Sequence, residues 1–115
     1  MIDANVIEAF HLMWGKFPEP VMLVHKKRDI LAVNETCSKV GGVAGIKCTS
    51  IGTPEQHKGC RANQALASQK ATYCKSETQG RTIIGYWIPV EGYPEIYIHF
   101  GVGTMINYDD FNAIS

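Results

Sequence analysis

Apolar residues recur at helical spacing near the N-terminus of the chain. They are Ile2, Val6, Phe10 and Met13. Spacings of three and four residues place side chains on one face of an α-helix. Pro18 and Pro20 follow this segment, and proline lacks the amide donor that a continuing helix needs. The pattern therefore predicts an amphipathic N-terminal helix within residues 1–17.

The next part of the chain alternates short apolar runs with polar turns. Residues 21–25 and 30–33 are apolar and are separated by the charged residues 26–29, which predicts a β-hairpin. Residues 34–50 are polar and interrupted by glycine, so we expect short helices joined by loops there. Thr53, Pro54 and Gln56 then suit the N-cap, first and third positions of a helix, which predicts a helix from residue 53 to about residue 68.

The last third of the chain has the pattern of β-strands. Residues 71–76, 82–90 and 96–102 form three such runs, separated by glycine-containing turns. Both faces of the last two runs carry apolar side chains, so both faces of the predicted sheet must be covered. The central helices can cover one face. The N-terminal helix or a second subunit can cover the other.

The composition is that of one neutral globular domain. The 115 residues include eleven Lys and Arg and eleven Asp and Glu, for a formal net charge of zero. This balance argues against nucleic acid or an anionic membrane surface as a partner. No run approaches the ~18 consecutive apolar residues of a membrane-spanning helix, and the N-terminus lacks the pattern of a secretory signal. We therefore expect a cytoplasmic protein with reduced thiols and no membrane contact.

Four cysteines and one histidine are the candidates for site chemistry. They are Cys37, Cys48, His57, Cys60 and Cys74. His57 and Cys60 are three residues apart, which on a helix places them on one face and within reach of one metal ion. Thiolate and imidazole are ligands of zinc and of iron–sulfur centres. Three interpretations stay open: buried free thiols, a bound metal or cluster, and a regulatory disulfide.

Motifs for catalysis are absent from the sequence. No glycine-rich segment has the strand, turn and helix setting or the Lys of a phosphate-binding loop. No nucleophile, base and orienting residue can be proposed together from their spacing, so an enzyme is the least expected class. His99 stands alone on a predicted strand. We expect a hydrogen-bonded structural residue there, with haem ligation as the alternative.

The order of predicted elements resembles a PAS domain over essentially the whole chain. The resemblance is carried by residues 18–24 before and in the first strand, by residues 30–35 with Asn34 closing the hairpin, and by Val40-Gly41-Gly42. It implies an α+β fold with a five-stranded antiparallel sheet, a belt of short helices over one face and an N-terminal helix. It also implies one sensory domain over residues 1–115, with its core at 18–106 and a C-terminal tail at 107–115.

A cysteine motif is similar to that of a PAS subset from bacterial sensor kinases. In that subset, a G-x-x-C segment precedes a C-x-x-C pair at the head of the longer helix. Here Gly45-Ile46-Lys47-Cys48 matches the first part, whereas His57 stands in place of the first cysteine of the pair that ends at Cys60. The resemblance implies a metal site of His57, Cys60 and Cys48, and a cofactor pocket that also includes Cys37 and Cys74.

PAS domains hold haem, flavin, iron–sulfur clusters, metabolites or no ligand in their pocket, so the resemblance does not identify a cofactor. It implies a signal-sensing module that transmits to an output domain or a partner kinase. We expect a homodimer formed through the N-terminal helix. Two alternatives remain: a cofactor-free dimerisation or interaction module, and a redox sensor based on thiols, a metal or an iron–sulfur cluster.

Overall fold

Five antiparallel strands form one sheet, with helices against both of its faces. This computed structural model describes residues 4–50, 59–78 and 80–108. The elements are α1 (Ala4–Trp14), β1 (Val21–His25), β2 (Ile30–Val33), α2 (Glu35–Lys39), a one-turn 3₁₀ helix (Cys48–Ser50), α3 (Ala62–Ser68), β3 (Thr72–Thr78), β4 (Arg81–Val90) and β5 (Tyr93–Val102). The predicted α+β class, the first hairpin and the short helices after it are confirmed.

The strand order, β2-β1-β5-β4-β3, places the first and last strands of the chain side by side. β5 pairs with β1, so that Leu23 lies opposite Ile98, and it also pairs with β4, so that Trp87 lies opposite His99. Glu91 and Gly92 make the turn between β4 and β5. Gly92 has φ of +84°, a conformation that glycine adopts without a steric penalty.

One face of the sheet, the α1 face, is defined by β-strand residues that pack against α1. Val6 and Phe10 of α1 are buried there. The strand residues of this core are Val21, Leu23, Ala32, Ile96 and Phe100. Their alternation with residues on the other face follows the two-residue period of a strand. The sequence left this face to the N-terminal helix or to a second subunit, and in the structure α1 packs against it.

The opposite face, the α3 face, carries Val24, Trp87 and Tyr97. Ala62 and Ala65 of α3 pack against them and are fully buried. The small alanine side chains let the helix backbone lie close to the sheet. The two apolar faces of the sheet are therefore covered by different helices, as the sequence pattern requires.

Two helix boundaries differ from the sequence prediction. The structure starts α3 at Ala62, and residues 59–61 are not helical, so the predicted helix from residue 53 is wrong over those three positions. Its predicted start at Thr53 and Pro54 lies outside the described residues. Gly59 disfavours helix, and a side chain there would press against the Cys74 sulfur.

The N-terminal helix ends at Trp14, three residues before the end of the predicted range. A side chain at Gly15 would overlap the carbonyl of His11, so the chain turns at a position that only glycine fits. The Phe17 N–H then donates to the Trp14 carbonyl at 3.1 Å. No helix within the described ranges is both long and apolar enough to cross a membrane.

Candidate functional site

Three of the predicted site residues lie together on the α3 face. Cys48, Cys60 and Cys74, which we call the thiol patch, are half-buried and pack against the core of that face. Cys48 comes from the 3₁₀ helix, Cys60 from the segment before α3, and Cys74 from β3. Three separate parts of the chain therefore bring their thiols to one side of the sheet.

Cys37 does not belong to this patch. It is buried in α2, where its backbone N–H donates to the Asn34 side-chain oxygen at 2.9 Å. Burial raises the pKa of its thiol above the usual value. Cys37 therefore has the surroundings of a packed apolar residue.

The predicted metal ligands are His57, Cys60 and Cys48. His57 lies outside the described residues. Among residues 4–50, 59–78 and 80–108, no three His, Cys, Asp or Glu side chains are grouped closely enough to hold a metal ion. A ligand set of Cys48, Cys60 and His57 thus depends on His57, and the prediction stays a prediction.

Tyr97 is a buried residue of the α3 face that lies close to Cys48 and Cys60 of the thiol patch. It is 1% exposed, and its hydroxyl interacts with the Cys48 thiol. Burial raises the pKa of Tyr97 far above its ordinary value, and the neighbouring Cys48 adds to the rise. Burial also raises the pKa of Cys48, against a smaller lowering by Tyr97. Both groups are therefore neutral at pH 7, and Cys48 is not an activated thiolate there.

A cation lies beside this phenol. The guanidinium carbon of Arg28 is 5.9 Å from the centre of the Tyr97 ring. Arg28 donates to the Asn63 side chain at 2.9 Å and to the Lys26 carbonyl at 2.7 Å. Its φ of +76° is rare for a residue with a side chain, so the loop between β1 and β2 holds this arginine in a strained conformation.

His99 shares the α3 face with the thiol patch. Its ring stacks on Trp87, with centroids 4.8 Å apart and planes inclined by 12°. Its Nδ1 donates to the Tyr86 carbonyl at 2.9 Å. These contacts are those of a hydrogen-bonded structural histidine, the interpretation that the sequence favoured over haem ligation.

Sequence reasoning missed a second polar centre, on the other side of the molecule. Glu19 is fully buried, and its carboxylate accepts from the backbone N–H groups of Gly103 at 2.7 Å and Met105 at 2.6 Å. The pKa of Tyr108 is raised, by burial first and then by the nearby Glu19. Glu19 therefore binds residues 103–108, the segment that leaves β5, which we call the exit segment.

Asn34 organises the same region from the end of the first hairpin. It is 1% exposed, and its side-chain oxygen accepts from Val21 N at 3.0 Å besides the Cys37 N–H. Its amide nitrogen donates to the carbonyl of Glu19 at 2.9 Å and to two carbonyls at the end of α1 and beyond it, those of Trp14 and Phe17. The sequence singled out Asn34 as the close of the hairpin, but all partners of its side chain except Cys37 are 13 to 20 residues away in the chain.

Solved structures of other proteins have a similar architecture. A domain of an HTR-like protein from Haloarcula marismortui matches 73% of this chain and 95% of its own, with 17% identity and a TM-score of 0.60. A sensory box sensor histidine kinase from Vibrio cholerae matches 88% of this chain and 94% of its own, with 14% identity and a TM-score of 0.62. The PAS domain of BvgS from Bordetella pertussis gives 16% identity, 86% and 82% coverage and a TM-score of 0.48.

A scan against models of protein families finds no match, and neither does a search of curated proteins. The structural likeness to the first two proteins, together with the element order and the strand order, establishes the architecture. The chain has the PAS fold.

Proposed function

We propose that this chain is a sensory module without catalytic activity of its own. A small ligand or cofactor on the α3 face changes the packing of the sheet, and the change passes to an output domain or a partner protein. The observation that carries the proposal is the contact of Glu19 with Gly103 and Met105. It joins the segment after α1 to the exit segment, so a change in the sheet reaches both ends of the domain.

The input side of the proposal is the α3 face. Only two alanines of α3 are fully buried against the sheet there, and the thiol patch beside them is half-buried. A bound group that displaces α3 therefore disturbs few apolar contacts. The structural similarity to a sensory box sensor histidine kinase supports a sensing role.

The output side includes a homodimer through α1. Leu12 is 86% exposed and Met13 is 76% exposed. Val6 and Phe10, earlier in the same helix, pack against the sheet, whereas Met13, which the spacing predicts on their face, is exposed at the end of the helix. A second copy that covers Leu12 and Met13 would be in direct contact with α1, the helix that packs against the α1 face. A change in the packing of the sheet would then alter the contact between the two subunits.

The test measures at individual backbone amides whether ligand binding changes the distant exit segment. Metabolites that raise the melting temperature are selected first, and amide hydrogen exchange is then measured with and without each compound. We expect binding on the α3 face to change the exchange of the Gly103 and Met105 amides. Compounds that bind there and leave both amides unchanged would overturn the proposed transmission.

A metal-, cluster- or thiol-based redox sensor is the second candidate, favoured by the thiol patch. Its test is an absorbance spectrum with metal analysis on protein purified without oxygen, for the chain and for Cys60→Ala and His57→Ala. The matched control is Cys37→Ala, since Cys37 lies outside the patch. Metal that is lost in the first two variants and retained in the control supports this candidate. If the protein contains no metal and its melting temperature is unchanged by chelators, the result supports a cofactor-free interaction module instead.

A further inference from the structure

A small cavity opens where β4 begins and β5 ends, on the side of the sheet away from the thiol patch. Its volume is about 170 Å³. Its walls include Arg81, Thr82, Ile84, Val102, Ile106 and Tyr108. Ile84 and Val102 lie opposite one another in the β4–β5 pair. None of the predicted site residues lines the cavity, so it is a separate candidate site.

Arg81 lines this cavity and has one buried donor that is unsatisfied within the described part of the chain. Its Nε atom is buried and has no hydrogen-bond partner among the described residues. A buried donor on a charged group costs free energy when it has no acceptor. Glu19, the one carboxylate that is buried among the described residues, accepts from Gly103 and Met105 and does not line the cavity. The Nε–H group of Arg81 is therefore available to an acceptor that enters from outside.

The remaining walls select the kind of acceptor. Ile84, Val102 and Ile106 present apolar surface, and Thr82 adds one hydroxyl. A guanidinium matches a carboxylate with two parallel hydrogen bonds, one of which can use the Nε proton. Inorganic phosphate has no apolar part to place against the three aliphatic side chains. A molecule with a carboxylate at one end and a short alkyl chain at the other satisfies both parts of the cavity.

The size of the cavity limits the ligand further. The volume of the cavity is about 170 Å³. Cavities for drug-sized ligands are larger, at about 300–1,000 Å³. A small carboxylate with a short alkyl chain is therefore the class that fits.

We propose that this cavity is a binding site for a short-chain carboxylate, with Arg81 as the residue that binds the carboxyl group. Gly103 and Asn107 of the exit segment also line the cavity, and Gly103 is the residue whose N–H is bound by Glu19. A ligand here would stabilise the path of the exit segment. The binding of a carboxylate does not depend on the proposed function, whereas a role of this binding in regulation rests on the proposed function.

The experiment titrates the ¹⁵N-labelled chain with butyrate, and separately with butyramide and inorganic phosphate, by NMR. Butyramide has nearly the same shape as butyrate but no charge. We expect saturable shifts of the Arg81 Nε–H and Gly103 N–H signals with butyrate, and affinity at least about tenfold weaker for butyramide. Phosphate is expected to shift these signals less than butyrate does.

Two variants locate the binding. Arg81→Met keeps an unbranched apolar side chain and removes the guanidinium, and we expect it to weaken butyrate binding by about tenfold or more while the rest of the spectrum stays folded. Arg61→Met is the matched control, because Arg61 is exposed beside α3, on the opposite face. Equal binding to Arg81→Met, or no saturable shift in the millimolar range, would overturn the site. Saturable binding of butyrate that leaves the amide hydrogen exchange of Gly103 unchanged would overturn only the regulatory role of the site.

Discussion

The Glu19 carboxylate accepts a hydrogen bond from the Gly103 N–H at 2.7 Å, across 84 residues of chain. Gly103 has φ of +100°, and a side chain there would overlap the Thr82 carbonyl. The chain thus leaves β5 by a route that only glycine allows and that Glu19 holds in place. A fully buried carboxylate is tolerated in this position because two backbone N–H groups solvate its charge.

Glu19→Gln is expected to destabilise the protein by about 2–4 kcal/mol. The amide has one acceptor oxygen for two N–H groups, so its own NH₂ is directed at the Gly103 or Met105 N–H. Urea unfolding measures the change. Glu95→Gln is the control, because Glu95 is half exposed and its ion pairs with Lys26 and His25 are at the surface. A loss no larger than that of the control would contradict a structural role for the buried carboxylate.

Asn34→Asp tests the hub between the hairpin and the end of α1. The substitution keeps an oxygen for Val21 N and Cys37 N but places a second oxygen against the carbonyls of Trp14, Phe17 and Glu19. We expect a loss of at least about 2 kcal/mol, since a buried charge then faces acceptors only. Thermal unfolding at neutral pH measures it. Stability equal to that of the wild type would show that the amide donors contribute little.

The sequence predicted the strands well because their signal is local. Alternation on β4 and β5 and the charged turn at residues 26–29 are determined by neighbouring residues, and the pairing that follows is antiparallel. The start of α3 was not predictable in the same way. Gly59 lies against Cys74 of β3, and such a tertiary contact has no signal in the local pattern.

The candidate sites show the same difference between local sequence signals and tertiary contacts. The cysteines could be singled out by residue type, and three of the four pack on one face. Glu19 was missed because a carboxylate between Pro18 and Pro20 looks like a solvated turn residue. Its partners, Gly103 and Met105, are more than eighty positions away, and they contribute only backbone N–H groups, which every residue except proline has.

Leu12→Lys with Met13→Lys tests the proposed dimer. Both side chains are largely exposed on α1, so the double substitution is expected to leave the fold intact. If a second copy covers them, two charges per subunit in an apolar interface will shift the protein from dimer to monomer. Light scattering across a range of concentrations measures the state. A wild-type protein that is monomeric at high concentration would remove the dimer from the proposal.

Tyr97→Phe is expected to change how stability depends on alkaline pH. Burial raises the pKa of folded Tyr97, whereas the phenol of the unfolded chain ionises near the ordinary tyrosine pKa of about 10. Below that pH both states hold the proton, and the difference in unfolding free energy between wild type and Tyr97→Phe is constant. Above it only the unfolded chain ionises, so the wild type loses about 1.4 kcal/mol per pH unit relative to the variant. Urea unfolding from about pH 8 to pH 11 measures this, and a constant difference would mean that folded Tyr97 ionises like the unfolded phenol.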